Sequence, residues 1–175
     1  MSDTTSPSAA LPIAHAVLRI LIVMNWLGGV AIAVLLVAMP TSQWIRSAFH
    51  IPPSPDADRL ILALQAIAVV GLVAIPLNYI ILKRLLAIVE TVRAGDPFIA
   101  ANASRLQAIA WALLALQILS LIVGAIATAV STPAHPLHMN AGFSINGWLT
   151  VLLTFLLARV FAEGAHMRDD LEGTV

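Results

Sequence analysis

The sequence predicts an all-α polytopic membrane protein: a four-helix transmembrane bundle with a cytoplasmic helical hairpin between helices 2 and 3. Three observations predict it. Hydrophobic residues make up 60% of the 175 positions and charged residues 10%, where soluble domains carry about 45–50% and about 25%. Four apolar stretches each reach the roughly 20 residues that cross about 30 Å of hydrocarbon as a helix. The segment between the second and third stretches holds Lys83, Arg84, Arg93 and Arg105, nearly half of the nine basic residues. Such runs can only be helices, because lipid offers their backbone groups no outside partner, and a barrel would need short alternating strands.

Residues 1–16 open with Met-Ser-Asp-Thr-Thr-Ser-Pro-Ser and read as a disordered cytoplasmic tail. They lack a basic n-region, and the apolar run that follows is too long for a signal-peptide core, so it is expected to stay as a span. The four-helix domain is expected over residues 17–162. Its first span covers 17–39 and stops at Pro40. The second covers 60–82 and ends at Lys83-Arg84. The third covers 106–130, before Ser131-Thr132-Pro133, and the fourth covers 143–161. Residues 163–175 form a short acidic tail with Glu163, Asp169, Asp170 and Glu172.

Lysine and arginine set the orientation. With both termini in the cytoplasm, Arg19, Lys83, Arg84, Arg93, Arg105, Arg159 and Arg168 lie inside, and only Arg46 and Arg59 outside. The positive-inside rule therefore places both termini in the cytoplasm. Trp44 and Trp148 fall near the outer boundary, where amphipathic rings favour the headgroups. Trp111 falls near the inner boundary, and Trp26 lies deeper.

The second helix is expected to outrun its span. Leu85, Leu86, Ile88, Val89 and Val92 alternate with Lys83, Arg84, Glu90 and Arg93 at amphipathic helical spacing. Gly95 suits a helix stop because it takes the left-handed C′ conformation without strain. Asp96 is expected as the next N-cap and Pro97 as the first helical residue. This hairpin either rests its apolar face on the headgroups or presents a docking surface of Arg93, Gly95, Asp96, Pro97, Phe98, Asn102 and Arg105.

Those residues also carry a resemblance. Arg93-Ala94-Gly95-Asp96-Pro97-Phe98, then Asn102, Arg105-Leu106 and Ile109, is similar to the central signature of domain-of-unknown-function family 2975. The C-terminus, from Phe161-Ala162-Glu163-Gly164 to the closing Thr174-Val175, is similar to that family's Phe-x-x-Gly and its acidic ending on Thr-Ile or Thr-Val. The resemblance covers roughly residues 60–175. It implies a bacterial inner-membrane protein with four helices and no assigned activity, often found beside small helix-turn-helix regulators. It supplies no catalytic residue.

The spans hold no acidic residue, which disfavours proton coupling; Arg19 and Arg159 lie close enough to the inner ends to snorkel. Neutral polar residues do occur. Asn25, Asn78, Gln117 and Thr154 could converge as an intramembrane polar cluster, or serve only as interhelical hydrogen bonds. Ser120, Gly124 and Thr128 form a small-residue stripe that lets neighbours approach closely, within one bundle or in a homo-oligomer. Pro76 should bend the second span. His135 and His138 in the outer loop lack the further ligands a metal site needs. There is no cysteine, no catalytic triad order and no phosphate loop, so neither an enzyme nor a cofactor is expected. A net charge of zero gives no field for direct nucleic-acid binding. The expected function is regulatory, through a cytoplasmic partner such as a small helix-turn-helix regulator. The alternative is a small transporter or a channel or permeability subunit, and in either case the bilayer is the first partner.

Overall fold

The computed structural model describes residues 10–38, 55–131 and 141–172. Among these residues there are four α-helices and no strand: α1 Ala10–Ala38, α2 Pro55–Arg93, α3 Ala100–Val130 and α4 Ile145–Glu172. All four are long and apolar enough to cross a membrane. Trp44, Arg46, His50, His135 and His138 lie outside the described residues, as do the first nine and last three positions.

The helices outrun the apolar stretches that define the spans. Helix α1 is helical from Ala10, inside the segment expected to be a disordered tail. Leu11 and Ile13 extend the apolar pattern upstream, so nothing in the composition stops the helix at residue 17. Helix α2 has 39 residues, a length of about 58 Å, against about 40–45 Å for a bilayer with its headgroups. Helix α4 runs through much of the segment read as an acidic tail, as far as Glu172.

The extensive contacts join helices that are consecutive in the chain: α1 with α2, α2 with α3, and α3 with α4. The arrangement is thus an open series, without the α1–α4 closure that an idealised four-helix bundle would have. Helix α1 meets α2 antiparallel. At its centre Gly29 makes room for Ile75, whose Cγ1 and Cγ2 would stand 3.2 Å from an added Cβ. Trp26 lies tilted against Tyr79 with ring centroids 5.7 Å apart. Near its start, His15 Nε2 lies 3.5 Å from Glu90 Oε1. The opposite face of α1 is bare: Ile20, Met24, Leu27, Val30 and Val34 are all exposed. A continuous apolar face of this kind has no place in water; in a bilayer it faces lipid.

The best-packed core lies where α2, α3 and α4 meet. Leu106, Ile109 and Ala158 are buried there against Ile81, Leu85, Ile88, Leu113 and Phe161. At the far end, the stripe of small residues on α3 receives a stretch of backbone. Ser120 Oγ accepts from Gly142 N at 3.2 Å and donates to Gly142 O at 3.3 Å. A Cβ on Gly124 would stand 2.6 Å from Gly142 Cα and 2.9 Å from its nitrogen. Gly142 itself has φ of 123°, a conformation that L side chains rarely adopt. Thr128, the third residue of the stripe, bonds back to its own helix at Gly124 O and Ala125 O.

Candidate partner-docking site

The connection between α2 and α3 is short and tied by several hydrogen bonds. Gly95 takes φ of 87°. Its N–H donates to Val92 O at 3.1 Å, and the Asp96 N–H donates to Thr91 O at 3.0 Å. This pair of bonds is the Schellman motif, with Gly95 at C′ and Asp96 at C″. The Thr91 and Val92 carbonyls near the end of α2 are thereby satisfied within the chain.

Asp96 does not cap α3, contrary to the expectation from sequence. The N-cap is Ile99, in extended conformation and without a side-chain cap bond, and α3 begins at Ala100. Two competing bonds explain the shift. The Asp96 carboxylate pairs with Arg168 of α4. The Pro97 carbonyl, which a helix starting at that residue would have used in its first turn, accepts instead from Asn102 Nδ2 at 2.8 Å.

Asn102 is the centre of the site. It is the only buried polar or charged residue among those described, with no exposed surface. Its second Nδ2 hydrogen goes to Thr91 Oγ1 at 2.8 Å, and Thr91 Oγ1 donates to Ile88 O at 2.8 Å. Arg105 Nη1 donates to Asn102 Oδ1 at 2.7 Å and to Ala87 O at 3.3 Å. Both side-chain donors and the acceptor of one amide are used, so its burial leaves nothing unpaired. Asn102 therefore ties α2, the turn and α3 together.

The remaining residues of the set face outward to different degrees. Phe98 packs on Phe161 at 5.2 Å between ring centroids and lies against Gly164, where an added Cβ would meet its ring at 3.1 Å; it still exposes 45% of its surface. Arg93 and Gly95 are exposed, and Pro97 is half-buried. The seven predicted residues thus divide. Asn102 and Arg105 hold the turn, Gly95 and Pro97 shape it, Asp96 anchors it to α4, Phe98 lies partly against α4, and Arg93 faces away. Thr91 and Arg168 belong to the same site and were not predicted. A threonine within an amphipathic apolar stretch is the faint signal for Thr91; nothing local to Arg168 points to a partner 72 residues away.

The other predicted set does not form a hydrogen-bonded cluster. Asn25 Nδ2 donates to Ile75 O at 3.1 Å and so joins α1 to α2. Asn78 and Thr154 bond carbonyls of their own helices, Ala74 O at 3.1 Å and Thr150 O at 2.7 Å. Gln117 reaches Ser144 O at 3.5 Å, at the start of α4. Each makes its own separate hydrogen bond, and those of Asn78 and Thr154 span one helical turn. No group of three His, Cys, Asp or Glu among the described residues could hold a metal ion.

The four membrane-length helices and their lipid-compatible surface define a multi-pass membrane protein of the α-helical class. A family model described as protein of unknown function DUF2975 matches residues 7–175, and the chain belongs to that family. The match takes in α1 as well, beyond the 60–175 range of the sequence resemblance. No curated protein and no solved structure matches the chain significantly.

Proposed function

We propose that this chain is a regulatory protein of the bacterial inner membrane that binds a soluble cytoplasmic partner at the α2–α3 turn. The reading rests chiefly on one contrast: a turn fixed by Asn102, Thr91 and Arg105 leaves Arg93 and much of Phe98 facing outward. A rigid frame lowers the ordering cost of association, and Arg and aromatic residues are enriched at binding hot spots. The contacts of His15 with Glu90 and of Arg168 with Asp96 bring the start of α1 and the end of α4 to the level of this turn. That end carries most of the basic residues, which favours the cytoplasmic side. A small helix-turn-helix regulator is the partner class the family resemblance suggests. No catalytic activity is proposed. The polar residues of the spans bond separately and lend no support to a transport reading.

A photo-crosslinking residue placed at Phe98 in native membranes tests the proposal. It should capture one discrete soluble protein, and Arg93→Glu should abolish the capture while membrane insertion stays normal. The same probe at Leu62, an exposed apolar position on α2, should capture none. Absence of any soluble adduct from Phe98 would defeat the reading. A reporter fused after Val175 must report a cytoplasmic location; a periplasmic signal overturns the orientation.

A further inference from the structure

Below the turn, α2 and α3 enclose an open groove of about 780 Å³. Its lining changes along its length. Along α2, Lys83 and Arg84 come first, Tyr79 about a turn deeper and Leu77 beyond it; along α3, Arg105 comes first and Trp111 more than a turn deeper. The three cations lie where the apolar run of α2 ends and that of α3 begins, which is the headgroup boundary of a bilayer. None of the three pairs with a carboxylate among the described residues. Lys83 Nζ lies 5.7 Å from the centre of the Tyr79 ring, and Arg105 is held in place by Asn102 and Ala87.

We propose that this groove is a binding site for one anionic glycerophospholipid. The order cation, aromatic, alkyl along the groove matches the order phosphate, glycerol ester, acyl chain along such a lipid. Basic pockets between transmembrane helices suit anionic headgroups, and aromatic side chains favour the ester level. The three unneutralised cations specify net negative charge, and the Tyr79, Trp111 and Leu77 walls specify a lipid over a soluble anion. The site is independent of any protein partner and of which leaflet holds it.

Native mass spectrometry of the full-length protein in detergent tests this, with phosphatidylglycerol and phosphatidylcholine of the same acyl chains as probes. One phosphatidylglycerol should bind at least about tenfold more tightly than phosphatidylcholine. Each cation near an anionic headgroup strengthens attachment about fivefold, so Lys83→Gln with Arg84→Gln should weaken phosphatidylglycerol binding about 25-fold and leave only the smaller preference that Arg105 supplies. Lys83→Arg with Arg84→Lys should retain the full preference. Arg19→Gln with Arg159→Gln, which removes two exposed cations outside the groove, should leave it intact. Excess inorganic phosphate should not displace the lipid. Equal affinity for the two lipids, an undiminished preference in Lys83→Gln with Arg84→Gln, an equal loss in Arg19→Gln with Arg159→Gln, or displacement by phosphate would each overturn the proposal.

Discussion

Replacing Asn102 with alanine removes the one side chain that joins α2, the turn and α3. Three hydrogen bonds go: to Thr91 Oγ1, to Pro97 O, and from Arg105. A neutral bond contributes about 1 kcal/mol net and one to a charged group about 1.5–3 kcal/mol. The sum is about 3–5 kcal/mol, near the upper end for single substitutions. Arg105 keeps its bond to Ala87 O and Thr91 keeps its bond to Ile88 O, which holds the loss within that range. For a chain of this size the expected fall in apparent melting temperature is roughly 6–20 °C. Thermal unfolding in mild detergent, followed by intrinsic fluorescence, reads it. Thr91→Val alone should cost about 1 kcal/mol. Combined with Asn102→Ala it should cost less than the sum of the two, with a coupling of at least about 0.5 kcal/mol, because the substitutions delete a shared bond. Asn102→Asp should fare no better than alanine, since an acceptor would then face the Pro97 carbonyl. A shift below about 2 °C for Asn102→Ala, or full additivity with Thr91→Val, would refute the assignment of Asn102 as the tie of this site.

The other predictions concern glycines and one ion pair. Gly124→Val should cost about 1–3 kcal/mol, because its Cβ would meet the backbone of Gly142 and not the end of a flexible side chain. Gly28→Ala, where nothing lies within 4 Å of the new Cβ, should be neutral or stabilise by up to about 1 kcal/mol; the same melting assay compares the two. Gly95→Ala should cost about 1–2 kcal/mol from its left-handed backbone alone, and Gly95→Asn less, since asparagine tolerates that region. Arg168→Gln breaks the pair with Asp96, but both side chains are more than a third exposed. Its effect should stay within about 0.2–1 kcal/mol and shrink with added salt, as a salt titration of the melting temperature will show.

Much of the turn is legible in the chain. Gly95 punctuates an amphipathic run, and the helix does stop beside it, at Arg93. The start of the next helix is not legible, because Asp96-Pro97 is a valid N-terminal pair that loses to bonds made by distant residues. Asp96 is drawn to Arg168, and the Pro97 carbonyl is taken by Asn102. The polar residues of the spans show a different limit. Equal depth in the bilayer is readable from sequence position, but rotation about the helix axis is less so. Rotation turns Asn25 toward Ile75 and leaves Asn78 and Thr154 on their own helices. Similarly, the Ser120, Gly124 and Thr128 stripe signals close approach but not what approaches; the structure seats the backbone of Gly142 there.

By itself, then, the sequence determined that four helices of membrane length exist and roughly where their apolar portions lie. Hydrocarbon imposes those terms on any chain that crosses it: every backbone group must bond within its own helix, and the apolar length must match the bilayer. Tertiary structure alone decided which helices touch, how far α4 continues beyond its apolar run, and what the turn residues hold. Those outcomes depend on side-chain bonds and close packing between segments far apart in the chain, as between Asp96 and Arg168 or Gly124 and Gly142. Local pattern carries no record of such pairs, because either partner alone reads as an ordinary surface charge or an ordinary small residue.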